Sequence, residues 1–145
     1  MRLGNVKLLG GVLALVAMGC GPLAAQSAAQ EDKNLKMVMA WWKDVVVTGH
    51  ADQASKYMAD SFVDHDPNVM GGRAEFLAHY AKMAKGSLPA TPAESFAKGD
   101  YVALVFEHPD RDPKTSTPYS FFTYDIFKVK DGKIQEHWDT LRKMP

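Results

Sequence analysis

His137 and Asp139 stand two residues apart in the run Ile134-Gln135-Glu136-His137-Trp138-Asp139. In a β-strand that spacing puts both side chains on one face, because successive side chains alternate sides. An imidazole beside a carboxylate moves protons when a pocket encloses the pair, and is ordinary polarity at a strand end when none does. Asp139 is then either a general acid/base or a carboxylate tied to a backbone amide or to Arg142. His137 either orients that carboxylate or is satisfied by a neighbouring strand. Asp125 shares an alternating face with Phe121, Thr123 and Phe127, so a carboxylate stands among aromatic rings and needs a partner. Carbon-acid chemistry needs a base pushed towards neutrality, and burial among rings such as Phe106, Phe121 and Phe127 destabilises an anion in that direction.

Two more histidines extend the set. His65 precedes Asp66-Pro67 at the end of a short apolar stretch, a place where a side chain can line a pocket. His108 ends the alternating run Val102, Leu104, Phe106, His108. Tyr57, Tyr119 and Tyr124 can each donate a phenolic hydroxyl to an oxyanion, although tyrosine at such spacings equally serves a core. No closely spaced ligand pair accompanies the histidines, so no metal is expected. The chain has no Gly-rich phosphate loop and no serine elbow, and its one cysteine lies near the N-terminus, so no cofactor and no nucleotide, serine or thiol chemistry is expected. The formal net charge of +0 leaves no basic excess to neutralise phosphates and argues against a nucleic-acid partner.

The elements that must position these groups change type midway. Leu35, Val38, Met39, Trp42, Val45 and Val46 recur at helical spacing, with Thr48-Gly49 as a stop. A second short helix is expected over Ala51 to Ala59, and Phe62-Val63 begins an extended segment ending at Pro67. A third helix is expected over Arg73 to Lys85, with Gly86 as its stop. Strands follow: Ala93 to Lys98, Tyr101 to His108, and a hairpin from Tyr119 to Leu141. Asp131-Gly132 marks its tight turn, since both types tolerate positive φ. The polar run Pro109 to Thr117 reads as a mobile loop. Helices first and an antiparallel meander afterwards imply an α+β domain, a cone-like curved antiparallel sheet wrapped around three N-terminal helices. The open end of such a cone is a natural small-molecule pocket.

Residues 1–29 read as a signal peptide with a short lead-in, and 30–145 as the domain. Arg2 and Lys7 are followed by an apolar run from Leu8 to Met18 and by small residues. The expectation is therefore an exported protein, periplasmic or secreted. Membrane attachment is expected only if Cys20, after Gly19, is lipidated. The remaining chain of about 115–120 residues must rely on its core without a disulfide.

The order of elements resembles the nuclear transport factor 2-like fold, and local motifs resemble its SnoaL-like branch, named for a polyketide cyclase. The motifs are Tyr57-Met58-Ala59, Phe62-Val63-Asp64-His65-Asp66-Pro67, Gly72-Arg73-Ala74-Glu75-Phe76, and Asp125-Ile126-Phe127-Lys128-Val129 leading through Asp131-Gly132-Lys133 into His137-Trp138-Asp139. The resemblance covers nearly all of 30–145 and is more specific for fold than for function. It implies a pocket carboxylate that moves a proton next to a carbonyl, with Asp139 in the acid/base place and His65 in the place of the pocket histidine. Asp66 stands where the pattern has Asn. It also implies a homodimer formed through the outer sheet face, where Trp138 points. Three readings follow: a cofactor-free cyclase or isomerase acting on a small apolar carbonyl compound, a non-catalytic small-ligand carrier, and a dimeric interaction module. In the first, Asp139, His65 and His137 are catalytic, while His108, Asp125, Tyr57, Phe121 and Phe127 contact substrate.

Overall fold

The computed structural model describes residues 21–83 and 88–139, with side chains from Ser27 onward. Residues 1–20 of the leader expected over 1–29, with Cys20, the stop at Gly86 and the Arg142 partner lie outside the described residues. Helix α1 spans Gly21–Trp41 and continues as a π-helical turn over Trp42–Val47. Gln26–Gln30, read from sequence as a lead-in, therefore belongs to this helix. A 3₁₀ turn at Ala51–Gln53 leads into α2, Ala54–Tyr57. Strand β1 begins at once, Met58–Asp64, so Met58 and Ala59 are extended and not helical as expected. Helix α3 is Arg73–Tyr80, and the meander is β2 Glu94–Lys98, β3 Tyr101–Arg111, β4 Pro118–Lys130 and β5 Lys133–Trp138.

The sheet order is β1-β5-β4-β3-β2, curved and not closed, with helices against one face. The α+β expectation holds, with one correction: β1 pairs with β5 in parallel, so the sheet is mixed. The turn Asp131-Gly132 forms as expected, both residues at positive φ (54° and 70°), the condition for a type I′ hairpin. The stretch Pro109 to Thr117 is not all loop. Pro109 to Arg111 continue β3, paired with Ser120 to Pro118. Beyond Val105, where β2 ends, β3 has one neighbour only, and a proline is tolerated in such an edge.

The core lies between α1, α3 and the inner sheet face. Val38, Trp41, Trp42 and Val45 meet Phe76 and the inward residues Val102, Leu104, Phe106, Phe127 and Ile134. Period-two alternation decides who points in. Two adjacent tryptophans are both buried: Trp41 packs edge-on to Phe127 at 4.9 Å, and Trp42 stacks on Phe106 at 4.5 Å. The Trp42 indole N–H donates to Pro89 O at 3.0 Å, which spares a buried donor. At the opposite end, Asn34 of α1 donates to Gly99 O and Glu31 accepts from Gly99 N, clamping the helix to the β2–β3 turn.

Candidate functional site

Three strands bring together the most unusual side chains of the molecule. Asp64 on β1 and His137 on β5 are register partners in the parallel pair, so they sit side by side on the inner face. On β4, Phe127 faces His137 and Ile126 faces Trp138, and the next residues along, Asp125 and Asp139, border one chamber. The His137 ring is 1% exposed and bonded at both nitrogens: Nδ1–H donates to Asp64 Oδ1 at 2.9 Å, and Nε2–H to Asp125 Oδ1 at 3.0 Å. Phe127 stacks on this ring at 4.9 Å and Phe76 meets its edge at 5.4 Å. Burial opposes the imidazolium, but the hydrogen bonds and charges of Asp125 and Asp64 outweigh it and push His137 up to about 9. At neutral pH the group is a buried cation between two aspartates.

Asp125 also borders a chamber of about 250 Å³, lined further by Trp42, Phe106, His108, Tyr80 and Asp139, with Asp66, His79, Thr123, Met83, Leu88 and Pro89 completing the wall. Helix α3 delivers His79 and Tyr80. It is held by Arg73, whose guanidinium donates to Met58 O and pairs with Asp60, and by Glu75, which accepts from Gly72 N at its start. Burial first, then the charges of Asp125, Asp139, Asp64 and Asp66, hold the Tyr80 phenol well above its usual range, so it stays a hydrogen-bond donor. The Asp66 carboxylate accepts from both nitrogens of Asn68, fixing the turn that follows β1. At the mouth, His108 Nε2 lies 2.9 Å from Thr123 Oγ1. Among the described residues no group of three acids, histidines or cysteines is arranged to hold a metal ion.

The expected site residues divide. Asp139, Asp125 and His108 line the chamber together. His137 lies behind the wall, fully buried, and reaches the chamber only through Asp125. His65 is on the other side of the sheet: its ring stacks on Trp138 at 4.6 Å and bonds Glu136 at 2.9 Å. The reason is alternation, since Asp64 points inward and the next residue must point out. Tyr57 is buried, with its hydroxyl donating to Asp44, and does not border the chamber. Phe127 is a core ring, and Phe121 is half exposed, stacked on His108 at 4.8 Å outside the lining. Asp64 and Tyr80 were not singled out from sequence. Tyr80 lies within the stretch expected as the third helix, and Asp64 stands beside His65. The alternation Phe62, Asp64 against Val63, His65 was the signal that would have found Asp64.

Solved structures similar to this chain share its fold at low identity. A nuclear transport factor 2-like protein from Burkholderia xenovorans LB400 superposes with a TM-score of 0.57 at 19% identity, covering 75% of this chain and 88% of that one. IdmH from Streptomyces antibioticus, described as a candidate polyketide cyclase, gives 0.55 at 19% identity, over 73% and 89%. A candidate polyketide cyclase from Acidithiobacillus ferrooxidans gives 0.55 at 16% identity, over 74% and 86%. In sequence, the cytochrome P450 monooxygenase dtxS2 of Metarhizium robertsii is 28% identical over 99 residues, 61% of this chain. The chain spans only 19% of that protein's length. The sequence pattern of the SnoaL-like domain matches residues 38–137. With its mixed sheet, its helices on one face and this match over most of its length, the chain belongs to the SnoaL-like domain family, related in fold to polyketide cyclases.

Proposed function

We propose that the chamber binds a small, largely apolar carbonyl compound and moves a proton at the carbon next to the carbonyl, without a cofactor, as in an aldol cyclisation or isomerisation. The observation that carries this reading is the pairing, in one aromatic-walled chamber, of the Asp139 carboxylate with a Tyr80 phenol that stays protonated. Asp139 takes the proton from carbon, the electron pair moves onto the carbonyl oxygen, and the Tyr80 hydroxyl donates a hydrogen bond to the enolate formed. Returning the proton to the same or another carbon regenerates the carboxylate. His137 acts behind Asp125, and His108 borders the ligand at the mouth.

The test is deuterium incorporation at the methyl group of acetophenone, followed by proton NMR in heavy water. The protein should accelerate exchange, and Asp139→Asn should lower the rate by about 10²–10⁴-fold, the usual contribution of a positioned acid or base. Exchange that is equally fast with Asp139→Asn would overturn the assignment. We place this activity in an exported homodimer. The leader-like residues 1–29 support export, and the apolar outer sheet face supports the dimer.

A further inference from the structure

Asp125 uses its two oxygens unequally, and the bonded one is held by a buried cation. Its side chain is only 10% exposed, and Oδ1 accepts from the His137 imidazolium at 3.0 Å. Among the described residues, Oδ2 takes no hydrogen bond. It is nevertheless not sealed in, unlike Asp64 Oδ2, which is buried without a partner. The residue borders the chamber, so its open oxygen faces the space where a ligand sits. Behind it, His137 cannot turn, because its other nitrogen is bonded to Asp64 at 2.9 Å and its ring is packed against Phe127 and Phe76. Asp64 is in turn fixed by the backbone N–H of Asp66. The acceptor at the wall is thus held in place before any ligand arrives, the condition under which a polar group selects most strongly.

The rest of the lining narrows what it selects. Among the described residues, Asp66, Asp125 and Asp139 line the chamber with no lysine or arginine beside them, so an anionic ligand meets like charge there. The volume of about 250 Å³ lies below the roughly 300–1,000 Å³ of pockets for larger organic ligands, so the occupant is compact, of single-ring size. Trp42 and Phe106, stacked on each other, add apolar lining. A buried acceptor left unpaired by a ligand costs free energy, so a ligand lacking a donor opposite Asp125 is penalised.

We propose that Asp125, braced by Asp64 through His137, is the specificity-determining acceptor of the chamber and selects a compact, uncharged carbonyl compound that carries a hydroxyl group. Asp64 and His137 are positioning residues, since neither touches the ligand. The proposal rests on reading the chamber as a carbonyl-compound site and adds to it the polar group that the compound must present.

Three probes test it: 4-hydroxyacetophenone, 4-methoxyacetophenone and acetophenone, titrated against the full chain by ligand-observed NMR. The hydroxyl compound should bind on the order of tenfold or more tightly than its methyl ether. In Asp125→Asn the amide oxygen must accept from the His137 N–H, which turns the amide NH₂ towards the chamber. A donor there faces a donor on the ligand, so the preference should vanish or reverse while the fold stays intact. Asp64→Asn should shrink the preference without abolishing it, and Asp139→Asn should leave the preference standing while α-proton exchange is lost. A merely structural role for the brace would shift all three affinities together and leave their ratio unchanged. Equal binding of the hydroxyl and methoxy probes, or an unchanged preference in Asp125→Asn, overturns the proposal even if acetophenone exchange proceeds. Exchange lost in Asp139→Asn then keeps the proton-transfer reading alive alone. Binding of none of the probes overturns both.

Discussion

A cation buried between two aspartates ties the stability of the fold to pH, and the direction follows from His137. Its ordinary value is 6.5 and its folded value about 9. Below 6.5 the group is protonated folded and unfolded, and its stabilising interaction is fully present. Between 6.5 and about 9 the unfolded chain loses the proton while the folded chain keeps it, so stability falls as pH rises. Above about 9 the contribution is gone. The whole effect is roughly 3 kcal/mol. Urea unfolding from pH 6 to pH 10 should show this decline, and it should be much smaller in Asp64→Asn, where the imidazolium loses one of its two carboxylates. His137→Gln should cost about 3–5 kcal/mol at pH 6, since Asp64 and Asp125 are then buried together without a cation between them. A pH dependence identical in wild type and Asp64→Asn would show that the proton resides elsewhere. In the proposed proton transfer Asp139 changes charge, so on that proposal its substitution should alter turnover far more than it alters unfolding.

The elements that carry this site differ in how openly the chain encodes them. The β4–β5 turn was legible because its information is local: Asp131-Gly132 demands positive φ, whereas the register shift beyond it, which turns both Ile134 and His137 inward against strict alternation, was not. Gly132 gives a clean measure of that local term. A Cβ there would meet open space, so Gly132→Ala costs only the backbone conformation at φ +70°, about 1–2 kcal/mol, without touching the chamber. Unfolding at fixed pH measures it, and an unchanged midpoint would mean that the turn relaxes to another type. The parallel pairing of β1 with β5 was not legible, because it joins Asp64 to His137 across the whole meander and no nearby residue announces it. That one missing contact explains two misplacements. Without it His65 looked like the inward histidine, and Asp64 looked like its neighbour. The third helix was legible as a helix, but helical spacing did not reveal that Tyr80 ends at the chamber wall near four carboxylates. Helical periodicity distinguishes buried from exposed and does not separate a core position from a pocket position.

At the scale of the molecule, the two faces of the sheet have been given different work. The inner face holds the core, the brace and the chamber, whereas the outer face leaves Phe96, Tyr101, Tyr124 and Ile126 exposed in one apolar field beside Trp138. Register places Ile126 between Ala103 and Trp138, near the middle of that field, while Glu136, bonded to both Lys128 and His65, marks its polar edge. A continuous apolar field rimmed by charge is the usual make-up of a protein contact. In a two-fold dimer the same patch meets its copy, so a substitution near its centre acts twice. Ile126→Lys would set two ammonium groups close together in an apolar contact, where each is costly to bury. The wild-type chain should therefore sediment as a dimer at micromolar concentration and Ile126→Lys as a monomer with unchanged circular dichroism. Because the chamber opens on the inner face, the monomeric variant should keep the affinity of the wild type for 4-hydroxyacetophenone. A wild-type chain that sediments as a monomer would remove the dimer from the proposal, and a variant that loses both dimer and ligand would show that the two faces are coupled through β4 and β5, the strands they share.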